Sequence, residues 1–177
     1  MGNMKQYLIM LPLCLLLSLV FIPGAVAAQT CKSSIVSTTP DAGFTLRNDG
    51  TAIHNVTGLT WMRCSLGQNW DGKGCGGTAT AYTWEAALQA AAKQSFAGQS
   101  DWRLPSRNEL ETILEESCHS PAINEKVFPA TPPAYYWTSS PYTGLANGAW
   151  SVDFGYGSVN ASVKTGNLNV RLVRGGR

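Results

Sequence analysis

The stretch Asp101-Trp102-Arg103-Leu104-Pro105-Ser106-Arg107-Asn108-Glu109-Leu110 leaves the backbone few choices. Pro105 disfavours the α conformation at Leu104, so no helix runs in from upstream. Trp102 and Leu104 alternate with Arg103, the pattern of a short extended segment with one face turned inward. Ser106 and Glu109 have the S-x-x-E spacing of a capping box, in which hydroxyl and carboxylate each take a backbone N–H at a helix start. Leu110, Ile113 and Leu114 follow at helical spacing, and Glu109, Glu111, Glu115 and Glu116 fill the other positions. That predicts an amphipathic helix reaching Ser117, with a solvated acidic face and early acids that suit its dipole.

The same reasoning lays out the rest. Phe44–Arg47 and Thr51–His54 read as strands around Asn48-Asp49-Gly50, a turn in which Asp-Gly tolerates positive φ. Leu59–Met62 reads as a third strand. Thr83 caps a helix whose apolar stripe is Trp84, Ala87, Leu88 and Ala91, stopping near Gly98. Tyr135–Ser139, Trp150–Phe154 and Val159–Val163 read as further strands, and Leu168–Val173 as the strand that closes an antiparallel meander. The expected class is α+β: two helices packed on a mainly antiparallel sheet with long ordered loops. One domain spans 44–174, preceded by a polar arm, 29–43, and followed by a tail, 175–177.

The chain begins with targeting signals. Lys5 supplies a positive charge, Leu8 to Ile22 is almost wholly apolar, Pro23-Gly24 breaks the run, and Ala25-Val26-Ala27-Ala28 offers a small-residue cleavage site. The apolar run is short for a bilayer span. Residues 1–28 therefore read as a signal peptide and the mature chain as exported, to the periplasm, cell surface or medium, with no membrane insertion after cleavage. Cys14 leaves with the signal, so four of the five cysteines remain. Four cysteines in an exported chain imply two disulfides, with three possible pairings. Cys64 and Cys75 flank a short Gly-rich loop that closes readily, which leaves Cys31 with Cys118. Removing Lys5 from the thirteen basic residues leaves twelve against eleven acidic ones, a balance that excludes a broad nucleic-acid surface.

Trp102-Arg103-Leu104-Pro105 with Glu109-Leu110 does not stand alone. In order along the chain come Thr57-Gly58-Leu59-Thr60-Trp61, Trp84-Glu85-Ala86-Ala87-Leu88, Tyr136-Trp137-Thr138-Ser139-Ser140 and Val170-Arg171-Leu172-Val173-Arg174. This ordered set resembles the Lcl C-terminal domain family of bacterial proteins, formerly DUF1566. More distantly it resembles the sulfatase-modifying-factor and C-type lectin folds. The resemblance implies a C-type lectin-like fold, although a fold alone does not give a function. It also implies two absences. The sulfatase-modifying enzymes use cysteines late in the chain, and no cysteine follows Cys118. Calcium-dependent lectins use E-P-N or Q-P-D and a later W-N-D; neither occurs, and Trp150-Ser151-Val152-Asp153 is only a loose echo.

Catalytic signatures are sparse. No G-x-S-x-G elbow, H-E-x-x-H helix or phosphate-binding glycine loop occurs. His54 reads as a half-exposed sheet residue and His119 as a helix-end residue beside Glu115 and Glu116. Asn69-Trp70-Asp71-Gly72-Lys73-Gly74 resembles an EF-hand loop only in part, because Lys73 and Thr80 stand where oxygen ligands belong. No metal and no cofactor is expected, and no catalytic residue is assigned. The tryptophans in periodic segments, Trp61, Trp84, Trp102, Trp137 and Trp150, read as core. Trp70, Tyr142, Asn147 and Tyr156 lie in expected loops and are the candidate ligand contacts, with Asp153 joining them if the Ser140–Gly148 loop folds back across its strand. Arg171, Arg174 and Arg177 form a candidate basic edge for acidic glycans. The expected function is a non-catalytic adhesin-like module that binds polysaccharide or another surface polymer. A structural protein binding a protein partner is the alternative and a cryptic hydrolase the third reading.

Export predicts a mature chain beginning near residue 29. Intact-mass measurement of the protein recovered outside the cytoplasm is expected to lack Met1 to about Ala28.

Overall fold

A computed structural model describes Gly2 and residues 28–176. The body of the targeting segment, with Cys14, and Arg177 of the candidate basic edge lie outside the described residues. The strands are β1 (Thr30–Cys31), β2 (Phe44–Leu46), β3 (Thr51–His54), β4 (Thr60–Met62), β5 (Asn69–Trp70), β6 (Cys75–Gly76), β7 (Cys118–His119), β8 (Tyr135–Tyr142), β9 (Gly148–Asp153), β10 (Ser158–Val163) and β11 (Val173–Arg174). The helices are α1 (Trp84–Ala92) and α2 (Arg107–Glu111). All strand pairs are antiparallel, in a four-stranded sheet of order β11-β4-β3-β2, a three-stranded sheet of order β10-β9-β8, and two ribbons, β1-β7 and β5-β6. The α+β class expected from the sequence holds. Among the described residues no helix is long and apolar enough to cross a membrane.

Two cores share the strands between them. Trp61 and Tyr136 belong to one, with Phe44, Leu110, Ile113, Phe128 and Phe154. Their neighbours Met62 and Trp137 belong to the other, with Trp102, Leu104, Ala87, Val170 and Leu172. Strand side chains alternate between faces, so β4 at Trp61–Met62 and β8 at Tyr136–Trp137 are apolar and buried on both sides. The β2–β3 turn shows a local requirement met twice. Gly50 has φ +84°, and a Cβ there would lie 2.6 Å from the Trp70 ring, so glycine answers both the turn and the close approach.

The central motif forms as its residues dictate, then departs from expectation. Trp102 and Leu104 are buried while Arg103 points outward to Glu109 through two contacts of 2.8 and 2.6 Å. The capping box is complete: Ser106 N donates to Glu109 Oε2 at 2.7 Å, and Glu109 N donates to Ser106 Oγ at 3.3 Å. The helix, however, ends at Glu111 rather than Ser117. Glu115, expected on a solvated face, is only 3% exposed. Its carboxylate accepts hydrogen bonds from Ser37 Oγ, Thr38 N, Thr39 N, Thr39 Oγ1, Ser117 N and Ser117 Oγ. The polar arm supplies four of these six donors, and the chain turns after Glu111 to bring the acid inward to them. Burial opposes ionisation of Glu115, but the hydrogen bonds from Ser117, Ser37 and Thr39 outweigh it and hold its carboxyl well below the usual carboxylate range.

The last segment is also placed differently from expectation. Residues 168–174 do not pair with β10. Leu168 bridges Tyr82, Asn169 bridges Tyr136, and β11 pairs with β4 in the other sheet. Val170 and Leu172 thereby enter one core and Val173 the other. Arg171, read from the sequence as part of a basic edge, is fully buried. It donates to the carbonyls of Met62 and Arg63, to Ser65 Oγ and to Thr131 Oγ1, and lies 4.8 Å above the Phe128 ring. Burial pulls its pKa down to about 10, so it remains charged at neutral pH.

Both disulfides are those expected, Cys64–Cys75 and Cys31–Cys118. The second joins β1 to β7 across 87 positions and is worth roughly 4 kcal/mol in the chain-entropy picture.

Glu115→Gln is expected to cost about 2 kcal/mol at neutral pH, the scale of charged hydrogen bonds lost from a buried site. Because its folded-state pKa is depressed, that contribution is present above the unfolded value of about 4.3 and fades as pH falls below it. Urea unfolding at neutral and acid pH is therefore expected to show the wild type converging on the variant as pH drops.

Candidate functional site

The register of the three-stranded sheet gathers one group of side chains. Tyr142 pairs with Gly148 and Gly148 with Val163, so the 143–147 loop and the 164–167 turn emerge at the same sheet end. Asn147 O accepts from Lys164 N at 2.9 Å, which joins loop to turn. Lys164 Nζ lies 4.4 Å above the Trp84 ring, and Trp84 Nε1 donates to Thr138 O at 2.8 Å. Trp84 stands at the first position of α1 because Thr83 caps that helix, accepting from Ala86 N. Thr83, Trp84, Glu85, Asn147, Lys164 and Thr165 line an open cleft of about 350 Å³.

A second cation–aromatic pair belongs to the same three-stranded sheet. The Arg107 guanidinium lies 4.2 Å from the Trp150 ring, and Tyr142 meets that ring edge-on at 4.7 Å. Arg107 is fixed by Glu111 at 2.6 Å, and its backbone N–H donates to Ser140 Oγ at 3.0 Å. The two cations differ in how they are held. Arg107 has a carboxylate partner; among the described residues Lys164 Nζ has neither an ion-pair partner nor a hydrogen bond, and the Asn147 side-chain amide is likewise unpaired.

The five residues singled out from the sequence divide among three places. Tyr142 and Asn147 lie at the sheet end just described. Asp153 lies at the other end of β9, opposite Tyr135 and Ser158, and is 5% exposed. Its Oδ1 accepts from Gly155 N at 2.7 Å and its carbonyl from Gly157 N at 2.8 Å, so this carboxylate builds a turn rather than facing a ligand. The Ser140–Gly148 loop does not fold back to reach it, because Pro141 and Tyr142 stay in β8 and pair with β9. Tyr156, 80% exposed, accompanies Asp153 and stacks on His119 at 6.3 Å. Trp70 lies on the disulfide-closed β5–β6 ribbon, where its Nε1 donates to Asn48 O and the Arg63 guanidinium sits 4.3 Å from its ring.

Other placements correct the sequence reading. His119 is in β7 beside Cys118, not at a helix end. Arg174 is held by Asp101 at 2.7 Å and Gln99 at 2.8 Å, and with Arg171 buried the described part of the basic edge does not form. Trp84 and Trp150, read as core from their periodic spacing, are half-buried. Lys164 opens the turn after β10, in the polar run Lys164-Thr165-Gly166-Asn167. Nothing local in the sequence links Trp84 to Lys164, eighty positions on. Among the described residues no group of three or more His, Cys, Asp or Glu converges in a metal-binding arrangement.

The model of the Lcl C-terminal domain family matches residues 50–174. The chain belongs to that family. No curated protein matches it. The Lcl C-terminal domain match starts at the turn before β3 and ends with β11, so it takes in the Arg103–Glu109 motif, the buried Arg171 and the four aromatic–cation pairs described above, and leaves out the arm and β2.

Tyr142→Ala removes a half-buried edge-to-face partner of Trp150 and is expected to cost about 1 kcal/mol. Asn147→Ala removes an exposed amide and is expected to stay within about 0.5 kcal/mol of wild type. Urea unfolding of the two single variants checks the difference.

Proposed function

We propose that this Lcl C-terminal domain protein is an exported, non-catalytic module that binds polysaccharide, on a scaffold of the C-type lectin-like kind. The observation that carries the reading is the cleft at Trp84. An apolar indole wall is half-buried there, with an ammonium (Lys164), an amide (Asn147) and two hydroxyls (Thr83, Thr165) around it. A sugar presents both C–H faces and hydroxyls, and binding sites of this type combine an aromatic wall with a few placed polar groups. The position of Lys164 over the indole orients its head without consuming its three donors. Long ordered segments, two helices and antiparallel sheets support the lectin-like scaffold, and the two disulfides support export.

The non-catalytic part of the reading is supported by where the two histidines lie. His54 packs on Phe44 and contacts Thr57 Oγ1 at 2.9 Å; His119 packs on Tyr156. Neither lines the Trp84 cleft.

The test is a glycan array with the purified mature domain. Binding is expected, unaffected by chelator, and Lys164→Ala with Asn147→Ala is expected to weaken it at least tenfold while the melting temperature stays nearly constant. Undiminished binding by the double variant, or turnover of simple esters or glycosides, overturns the proposal.

A further inference from the structure

A different cleft, also of about 350 Å³, lies between three segments that the fold holds rigidly. They are Gly77–Ala79 after β6, Ser120–Pro121 after β7, and Ala130–Pro133. Cys75, two residues before the first, is bridged to Cys64; Cys118, two before the second, is bridged to Cys31. The third is held from behind: Gln68 Nε2 donates to Ala130 O at 3.0 Å, while Thr131 Oγ1 donates to Phe128 O and accepts from Arg171. Ser120 and Ala130, both without the freedom of glycine, have φ of +56° and +51°. Non-glycine residues persist there only where their surroundings fix them, and such positions gather at ligand sites. The cleft is therefore preformed.

Its chemistry is asymmetric. Ala79, Pro121, Pro132 and Pro133 give methyl and ring-methylene walls. Gln68 and Thr131 spend their polar atoms on the protein itself, Gln68 Oε1 accepting from Ser65 N at 3.0 Å. The Thr78 hydroxyl has no hydrogen bond among the described residues, and Glu125 is the one charged residue in the lining. It is half-buried, and among the described residues its carboxylate has no hydrogen bond and no ion pair. The adjacent Lys126 does not serve it, being engaged with Asp41 at 2.9 Å. Burial pushes the Glu125 carboxyl up, which marks an anion short of partners. A carboxylate accepts only, and one left unpaired beside apolar walls is met best by a cation that brings its own N–H donors and a hydrocarbon body.

We propose that this cleft binds a primary alkylammonium group, with Glu125 as its counter-ion and the proline–alanine walls packed against its carbon chain. The volume lies at the small end of ligand pockets, which fits one short chain rather than a run of sugar rings. The group can arrive on a free diamine or on a lysine side chain, and the probes separate these sources.

Amide chemical shifts of the mature domain are followed by NMR on titration with cadaverine, with N-acetyl-lysine methylamide, and with pentanediol as the uncharged counterpart of the diamine. Shifts are expected at Thr78, Ala79, Ser120 and Ala130 with an amine and not with the diol. Response to both amines assigns the site to the ammonium alone, and response only to the lysine derivative assigns it to a peptide-borne lysine. Glu125→Gln, whose side chain supports no other group, is expected to retain a dispersed spectrum and to bind at least tenfold more weakly, while Glu125→Asp retains part of the affinity. Absence of shifts with both amines at millimolar concentration overturns the proposal. So does equal response to the diol, or undiminished binding by a folded Glu125→Gln.

Discussion

The buried guanidinium of Arg171 is the interaction on which the two halves of the domain depend. It lies in a segment that belongs to neither sheet until β11 begins, yet it reaches the carbonyls of β4 and the loop beyond, Ser65, and Thr131 on the approach to β8. Ser65 Oγ is 2.7 Å from the Tyr136 hydroxyl, so the network extends into β8 itself. No carboxylate is among these partners. A buried cation is tolerable here because four oxygens and an aromatic face replace its water, and only its Nε is left without a partner. The same arginine steadies the Thr131 segment that walls the second cleft, so a buried residue outside the lining helps to set the shape of that cleft.

Glu115 does for the N-terminal arm what Arg171 does for the C-terminal segment. It is an anion satisfied by six donors, and most of those come from residues that have no regular structure of their own. The Cys31–Cys118 bridge fixes the same arm a few residues away. Covalent and polar attachment thus reinforce each other. The arm, including Thr39 at 2% exposure, is part of the folded body although the family match begins only at residue 50.

Function in such a scaffold belongs to loops that the sheets hold still. The two clefts differ in the way their chemistry suggests different occupants. One sets unpaired donors around an indole, and the other sets an unpaired acceptor among prolines. Each is assembled from segments far apart in sequence. Lys164 reaches Trp84 because β10 runs to the same sheet end as the β8–β9 loop, and Glu125 shares a cleft with Ala79, whose Gly77–Ala79 and Ser120–Pro121 walls each follow a disulfide-bonded cysteine.

Local chemistry was legible from the residues alone. Pro105 and the Ser106–Glu109 box set the corner and the helix start, Thr83 set the other, Asp49-Gly50 set the first hairpin, and the short Gly-rich loop set the Cys64–Cys75 pairing. These features answer to backbone sterics and to partners within a few positions, which a sequence displays. Where α2 stops, which way Arg171 points, and whether Trp84 and Trp150 are core or surface were decided by tertiary structure. A periodic stripe says that one face is apolar but not how completely a neighbour covers it, and a charge in an apolar run declares itself buried only when its partners are known. Those partners, Thr39 for Glu115 and Thr131 for Arg171, lie 76 and 40 positions away, beyond the reach of any local pattern.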